Sequence, residues 1–167
     1  VRMVGAVDGT TLSYEPYPPE GAPGTLDAGQ QVRFPAGSPF VVKSQDSSHP
    51  FFVTTMMTGC DMTYTGLGDP ETVTVAPTAQ WLDSYVFFAD FTYDLSAMFV
   101  TRRRTNGAFQ DVILDCAGPI GEWRPIDADY EWTRVELSRR GNPAAYPGGT
   151  CTDGPHRIES GGPFQIT

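Results

Sequence analysis

The sequence lacks several features that define other classes of protein. It has a single lysine, Lys43, and its 167 residues contain no Cys-x-x-Cys pair, no Gly-x-Ser-x-Gly segment and no phosphate-binding glycine loop. A structural zinc site, a hydrolase nucleophile elbow and a nucleotide-binding loop are therefore not indicated. No apolar run is long enough to span a bilayer, so membrane insertion is not expected. No cofactor is expected either.

A basic face is also missing. The formal net charge is −9, and the acidic residues are spread along the chain. The one basic cluster is Arg102-Arg103-Arg104, whose side chains would alternate between the two faces of a strand. Because phosphate binding needs a continuous basic surface, nucleic acid is not an expected partner.

Helical periodicity is absent as well, and at most one or two turns are expected in "APTAQWLDS", residues 76–84. The chain instead has 18 Gly and 15 Pro among short β-branched and aromatic runs. This composition is typical of short strands joined by tight turns. We therefore predict an all-β protein, an antiparallel β-sandwich with little or no helix.

An internal repeat suggests how the strands are organised. "QQVRF", "FVVKS" and "PFFVTT" follow one another in the first half, and "TRVEL", "HRIES" and "PFQIT" follow in the second half. Each set predicts a three-stranded antiparallel meander whose last strand begins at a proline. Phe51 and Phe164 would then occupy matching buried positions. Two similar units are expected, 1–70 and 71–167, or one continuous domain, in a piece cut from a longer chain.

Two dipeptides predict hairpin turns because both of their positions tolerate positive φ. Asp8-Gly9 would join strands 2–7 and 10–15. Asn106-Gly107 is the clearer signal, and a two-residue turn there would place Thr101 opposite Val112 and Arg102 opposite Asp111. The second pair has opposite charges, which suits a cross-strand contact.

Tryptophan and tyrosine residues provide a candidate ligand surface. Alternation in "YEWTRVELS" places Tyr130 and Trp132 on one face and Val135 and Leu137 on the other. Since the two aliphatic residues suit the core, Trp132 would lie on the outer face or beneath a neighbouring loop. Trp123, Trp132 and Tyr130 are therefore the candidate ligand-contacting residues, because exposed aromatic rings often mark contact surfaces.

The three cysteines leave two interpretations open. Cys116 and Cys151 each lie beside a predicted strand end, and a disulfide between them would span 35 residues and stabilise the fold by about 3–4 kcal/mol. Cys60 would then be left over. Alternatively, all three are reduced in a cytosolic protein, where cysteine packs as a small hydrophobe.

Candidate catalytic and metal-binding residues are few. His49 and His156 both lie within the repeated element, which favours a structural or surface role over catalysis. Asp61, Asp69 and Glu71 share a glycine-containing loop that could bind Ca²⁺ through oxygen atoms, although they lack the spacing of a known calcium loop. A solvated acidic loop is the alternative, and no metal site is otherwise indicated.

The chain resembles the N-terminal domain of the IgGFc-binding protein family. The resemblance rests on "VGAVDGTTLSY", "LDAGQQVRF", "FVVKSQDSSHPF", "DSYVFFADFTYD", "FQDVILDCAG", "YEWTRVELS" and "GPHRIESGGPFQIT", and thus covers nearly the whole chain. It implies the later part of a longer all-β region, in a protein similar to bacterial secreted or surface members. It also implies paired cysteines at Cys116 and Cys151, whereas Cys60 departs from the family pattern. The resemblance offers no catalytic residues.

These observations predict an extracellular, non-enzymatic binding or adhesion module of a larger secreted or cell-surface protein. Its expected partners are an extracellular protein or glycan and the neighbouring domains of its own chain. A carbohydrate-binding module that uses exposed tryptophan is one alternative, and a purely structural spacer is another. The fold alone would not decide between them.

Overall fold

The computed structural model describes residues 1–57, 59 and 71–167. The described residues form strands paired in antiparallel sheets and one turn of 3₁₀ helix, Thr78–Gln80. The predicted all-β class is therefore confirmed. The strands are Arg2–Gly5 (β1), Thr10–Glu15 (β2), Thr25–Leu26 (β3), Gln31–Arg33 (β4), Val41–Ser44 (β5), Phe51–Met56 (β6), Thr72–Thr74 (β7), Leu82–Ala89 (β8), Leu95–Arg103 (β9), Val112–Leu114 (β10), Gly118–Pro119 (β11), Arg124–Pro125 (β12), Tyr130–Arg139 (β13), Asn142–Tyr146 (β14), Gly149–Cys151 (β15) and Gly154–Ile166 (β16).

The chain forms two compact units, Val1–Val75 and Ala76–Thr167. The division predicted from the sequence, 1–70 and 71–167, stays a prediction because residues 60–70 lie outside the described part of the chain. Each unit has its own hydrophobic core.

The first unit contains two sheets, with the strand orders β4-β1-β6-β7 and β3-β2-β5. The two sheets share a buried core. Met3 on β1 and Phe34 directly after β4 contribute to it from the first sheet, and Leu12 and Leu26 contribute from the second. Alternation explains this core, since β1 and β2 each bury alternate side chains. Two sheets that share one core form the layers of a sandwich.

The predicted hairpin at Asp8-Gly9 is wrong. β1 pairs with β4 and β6, whereas β2 pairs with β3 and β5, so the turn joins strands of different sheets. A residue distant in sequence stabilises the turn, because the N–H of Ala28 donates to Asp8 Oδ1 at 2.9 Å. Gly9 does adopt the positive φ that its position suggested, 67°. The turn itself was therefore predicted correctly. β1 and β2 do not pair with each other, because each belongs to a different layer of the sandwich.

The two predicted meanders are also wrong. In the first unit β4 pairs with β1, β5 with β2, and β6 with β1 and β7. In the second unit "HRIES" and "PFQIT" belong to one continuous strand, β16, and "TRVEL" lies in β13, which pairs with β9. Pro163 does not open a strand, because β16 passes through it within an irregularity between Glu159 and Phe164.

The second unit is built around β16. Its sheet has the order β11-β10-β16-β9-β13-β14-β15, with β8 also pairing with β16 and β12 with β13. Inward-facing side chains of these strands and of the segments beside β11 form the core: Ala89, Met98, Val100, Val112, Leu114, Ala117, Ile120, Val135, Leu137, Cys151, Ile158 and Phe164. Val135 and Leu137 are buried as the alternation in β13 predicted.

Asn106-Gly107 forms the predicted turn but not the predicted hairpin. Thr105 and Ala108 bridge it, and both central residues have positive φ, 52° and 81°. Beyond this bridge β9 and β10 lie end to end along β16, with Val100–Arg102 opposite 164–166 and Val112–Leu114 opposite 158–160. The predicted pairs Thr101–Val112 and Arg102–Asp111 are therefore wrong. β9 and β10 thus each pair with β16 instead of with each other across the turn.

Candidate functional site

The second unit contains a disulfide between Cys116 and Cys151, the pair that the family resemblance implied. His156 connects the same two segments by hydrogen bonds. Its Nδ1 atom lies 2.9 Å from Asp115 Oδ1, and its Nε2 atom lies 2.7 Å from the carbonyl oxygen of Thr152. Both ring nitrogens thus face acceptors, and a doubly protonated ring can donate to both of them. The buried ring of His156 also packs against Phe87, with centroids 5.6 Å apart.

The Asp115 carboxylate is held in its ionised form. Partial burial raises the pKa of Asp115, but hydrogen bonds from the Arg157 N–H and from His156, together with the charge of His156, outweigh burial and lower it overall. Asp115, Cys116 and His156 place ligand-type atoms within 4.8 Å of one another. Because the Cys116 sulfur is bonded to Cys151, it is not a thiolate, and we assign these residues to the disulfide environment.

Neither histidine has the surroundings of a catalytic base. Both nitrogens of His156 are engaged by acceptor oxygens, and neither partner is a hydroxyl or thiol that the imidazole could activate. His49 lies in an exposed turn, where its Nδ1 atom is 2.7 Å from Asp46 Oδ1. Hydrogen bonds from His49 and from the Ser48 N–H lower the pKa of Asp46. These contacts close a local turn.

Trp123 is packed against the core, where it covers a buried ion pair. The guanidinium carbon of Arg102 lies 3.8 Å from the centroid of its ring, and the indole N–H donates to the carbonyl of Ile120 at 3.0 Å. Arg102 Nε donates to Glu131 Oε1 at 2.7 Å. Glu131 on β13 is also the cross-strand neighbour of Arg102. The sequence had predicted Asp111 in this position, so the observed partner is acidic as expected but belongs to a different strand.

The side chains of Trp132 and Tyr130 lie in different surroundings. Trp132 is half-buried on the outer side of β13, where its ring lies 5.6 Å from that of Phe99 and beneath the guanidinium of Arg124. Tyr130 is buried, and its ring meets Trp81 edge to face at 5.9 Å. The structure therefore does not bring Trp123, Trp132 and Tyr130 together into one platform within the described part of the chain.

The residues proposed for calcium are mostly outside the described part of the chain. Asp61 and Asp69 lie outside the described residues, and so does the remaining cysteine, Cys60. Glu71 is described and exposed, and its carbonyl accepts a hydrogen bond from the N–H of Met57 at 2.8 Å. The calcium hypothesis stays a prediction.

Among the described residues, the largest run of exposed apolar side chains along the sequence begins in β8. Phe88 and Val86 on the outer face of this strand are 62% and 77% exposed, and Phe91 and Tyr93 in the following loop are 74% and 55% exposed. Leu82 at the start of the strand is exposed too. We name these five residues the β8 surface. Clustering of this kind marks contact surfaces, whereas single exposed apolar residues are ordinary.

A shallow acidic groove lies beside the β8 surface. It has a volume of about 380 Å³, and its lining includes Asp83, Asp111, Ile113, Arg157 and Glu159. Arg157 is paired with Glu159 at 3.1 Å, so the lining carries a net negative charge. Strand register joins the groove to the β8 surface, because Arg157 lies opposite Val86 and Glu159 lies opposite Ser84.

Sequence reasoning missed the β8 surface. The run "YVFFA" is apolar at consecutive positions, which is equally typical of a strand buried on both faces. Tyr85 and Phe87 do pack against the core, while Val86 and Phe88 do not. The useful signal was the pair of aromatic residues in the loop that follows, Phe91 and Tyr93, which the sequence places among polar residues.

Comparison with known proteins agrees with the resemblance. The family model described as IgGFc binding protein matches residues 1–167. No curated protein sequence and no solved structure matches the chain significantly. Among the residues that the structure describes, no helix has the length and hydrophobicity needed to cross a membrane.

Proposed function

The chain belongs to the IgGFc binding protein family, and from this premise we propose that it is an extracellular, non-catalytic binding or adhesion module of a larger secreted or cell-surface protein. The observation that carries the proposal is the β8 surface, which exposes five large apolar side chains within residues 82–93. The Cys116–Cys151 disulfide supports the extracellular assignment, because such bonds persist in oxidising compartments.

The β8 surface suits a protein partner better than a sugar. Its members are mainly aliphatic and phenylalanine side chains, which gain free energy from burial against another apolar surface. Asp83, Asp90 and Asp94 lie within or directly after the same segment and would form a polar rim. Apolar contacts at the centre and charged groups at the edge are typical of protein–protein interfaces.

Binding to defined arrays tests this proposal. The chain would be applied to an array of extracellular proteins, with immunoglobulin among them, and to an array of glycans. We expect protein signals that fall at least about tenfold in Phe88→Ser and Phe91→Ser variants. Both side chains are largely exposed, so the variants should fold, which circular dichroism would check. Phe52→Ser, at a similarly exposed aromatic residue on β6, is the matched control and should leave these signals unchanged. Protein signals that persist in both β8-surface variants would contradict the proposal.

Carbohydrate binding is a second candidate, which the outer face of β13 favours. There the Trp132 and Phe99 rings lie 5.6 Å apart in a tilted arrangement, and the guanidinium of Arg124 lies over the Trp132 ring. If sugar binding is the activity, glycan signals should disappear in Trp132→Ala and survive in Phe88→Ser. A structural spacer would give no specific signal on either array.

A further inference from the structure

The outer edge of β8 is the starting point for a more specific inference. Among the described strands, β8 pairs with β16 alone, along 154–159 and again at Phe164. A strand of eight residues, Leu82–Ala89, thus has a second backbone edge that no described strand covers. Open strand edges accept the backbone of another polypeptide, and proteins that do not use them commonly block them with lysine, proline or bulges. β8 contains neither lysine nor proline.

The side chains along β8 change character from one end to the other. Near its end, Phe88 and Val86 lie opposite Pro155 and Arg157 on the outer face. Near its beginning, Leu82 is also exposed and apolar, but Ser84 lies opposite Glu159, and Asp83 lines the acidic groove with Asp111. A strand added alongside β8 would therefore meet apolar side chains at one end, whereas at the other end its basic side chains would extend across β8 toward the negative charge of the groove.

A second copy of this chain fits this edge poorly. Residues 82–94 include three aspartates and no basic residue, and each chain has a formal charge of −9. Pairing β8 with β8 of another copy would bring these acidic segments together, and the like charges would oppose association. The occupant should instead carry positive charge.

We infer that β8 accepts an antiparallel strand from a basic partner polypeptide, with apolar residues in the first half of that strand and arginine or lysine in the second half. The antiparallel direction follows that of the strand pairs in this unit. It places the first residues of the partner opposite Phe88 and Val86 and the later ones opposite Ser84, from which arginine or lysine side chains would extend over β8 toward the acidic groove. The inference rests on the proposed function and adds the chemistry and geometry of the partner. Backbone hydrogen bonds would supply affinity, and alternate side chains would supply specificity.

A synthetic peptide tests this inference directly. The probe is a capped nine-residue peptide with valine at positions 2 and 4, arginine at positions 6 and 8 and threonine elsewhere, and its binding to the chain is followed by fluorescence anisotropy. We expect a peptide with glutamate at positions 6 and 8 to bind at least about tenfold more weakly. Val86→Ser should weaken binding of the arginine peptide by a similar factor, and Phe52→Ser should not.

N-methylation tests the edge itself. Two peptides would each carry methyl groups on alternate backbone amides. One peptide loses the N–H donors that face β8, and the other loses the N–H donors that face solvent. We expect one set to abolish binding and the other to preserve it. Equal binding of both sets, or of the glutamate peptide, would overturn the inference. So would sedimentation of the chain as a dimer that Val86→Ser dissociates, because a second copy would then occupy the edge.

The array experiment separates failure of this inference from failure of the proposed function. If the peptide results are negative while protein signals on the array still depend on Phe88, the proposed function stands and strand addition is wrong. If those signals do not depend on Phe88, the proposed function fails as well.

Discussion

The Nδ1 atom of His156 lies 2.9 Å from the carboxylate of Asp115, although 41 residues separate them in sequence. Asp115 directly precedes Cys116, and the other ring nitrogen contacts Thr152, which directly follows Cys151. The same two segments are thus joined covalently by the disulfide and non-covalently by the imidazole. This arrangement explains why a histidine from the repeated sequence element is buried in the second unit, and it predicts that the stability of that unit depends on pH.

The first prediction concerns this pH dependence. The pKa of Asp115 is lower in the folded chain than in an unfolded one, where an aspartate has a pKa of about 3.9. Its stabilising contribution is therefore complete above the unfolded pKa and is lost as the pH falls through the folded pKa. We expect the free energy of unfolding, measured by urea denaturation, to fall less steeply below about pH 4 in Asp115→Asn than in the unmodified chain.

Asp94→Asn is the control for that measurement. The Asp94 side chain is exposed, so this variant should follow the pH dependence of the unmodified chain. Superimposable curves for Asp115→Asn and the unmodified chain would show that the Asp115–His156 contact has no energetic role.

The second prediction concerns the disulfide. Since Cys116 and Cys151 are bonded, the denatured and unreduced chain should contain one titratable thiol, that of Cys60. Replacing both bonded cysteines by serine should lower the free energy of unfolding by about 3–4 kcal/mol, because the unfolded chain regains the freedom of the closed loop. Three thiols per chain would contradict both the bond and the extracellular assignment.

Local chemistry allowed much of the fold to be predicted. The turn at Asn106-Gly107 forms because both residues tolerate positive φ, and β13 buries Val135 and Leu137 because side chains alternate along a strand. Each of these inferences concerns neighbours in sequence. They hold whichever strands lie next to one another.

Strand pairing could not be predicted in the same way. β9 and β10 share β16 as a neighbour, and nothing in the turn between them specifies a strand some fifty residues further along the chain. The surroundings of the candidate ligand-contacting residues depend on strand pairing in the same way. Trp123 resembles an exposed ligand-binding residue in the sequence, but its position over Arg102 depends on the pairing of Arg102 with Glu131. Exposure of Val86 and Phe88 likewise depends on which strands border β8.

The third prediction tests the buried ion pair. Arg102 and Glu131 are both largely shielded from solvent, so Arg102→Ala would leave the carboxylate of Glu131 without its charged partner. Loss of one partner from such a pair costs about 3–5 kcal/mol. Arg104→Ala, at an exposed position two residues away, should cost less than about 1 kcal/mol. Similar thermal unfolding of the two variants would contradict the structural role assigned to Arg102.

The last prediction compares the two phenylalanines of the repeated sequence element. Phe164 is completely buried, and its ring meets that of Tyr85 edge to face at 5.0 Å. Phe51 is half-buried beside the core of the first unit. Phe164→Ala should therefore cost about 3–5 kcal/mol, the usual range for a buried phenylalanine, and Phe51→Ala should cost less.

Phe52 provides the matched control for both substitutions. It follows Phe51 in the same strand, but its side chain points to solvent, so Phe52→Ala should change stability by less than about 0.5 kcal/mol. The variants would be compared by urea denaturation, with a separate transition sought for each unit. An equal loss for Phe51→Ala and Phe164→Ala would mean that the two positions are equivalent after all, as the repeat suggested. A loss confined to Phe164→Ala would show that similar sequences here have different structural roles, because β16 continues through its proline whereas β6 begins directly after its own.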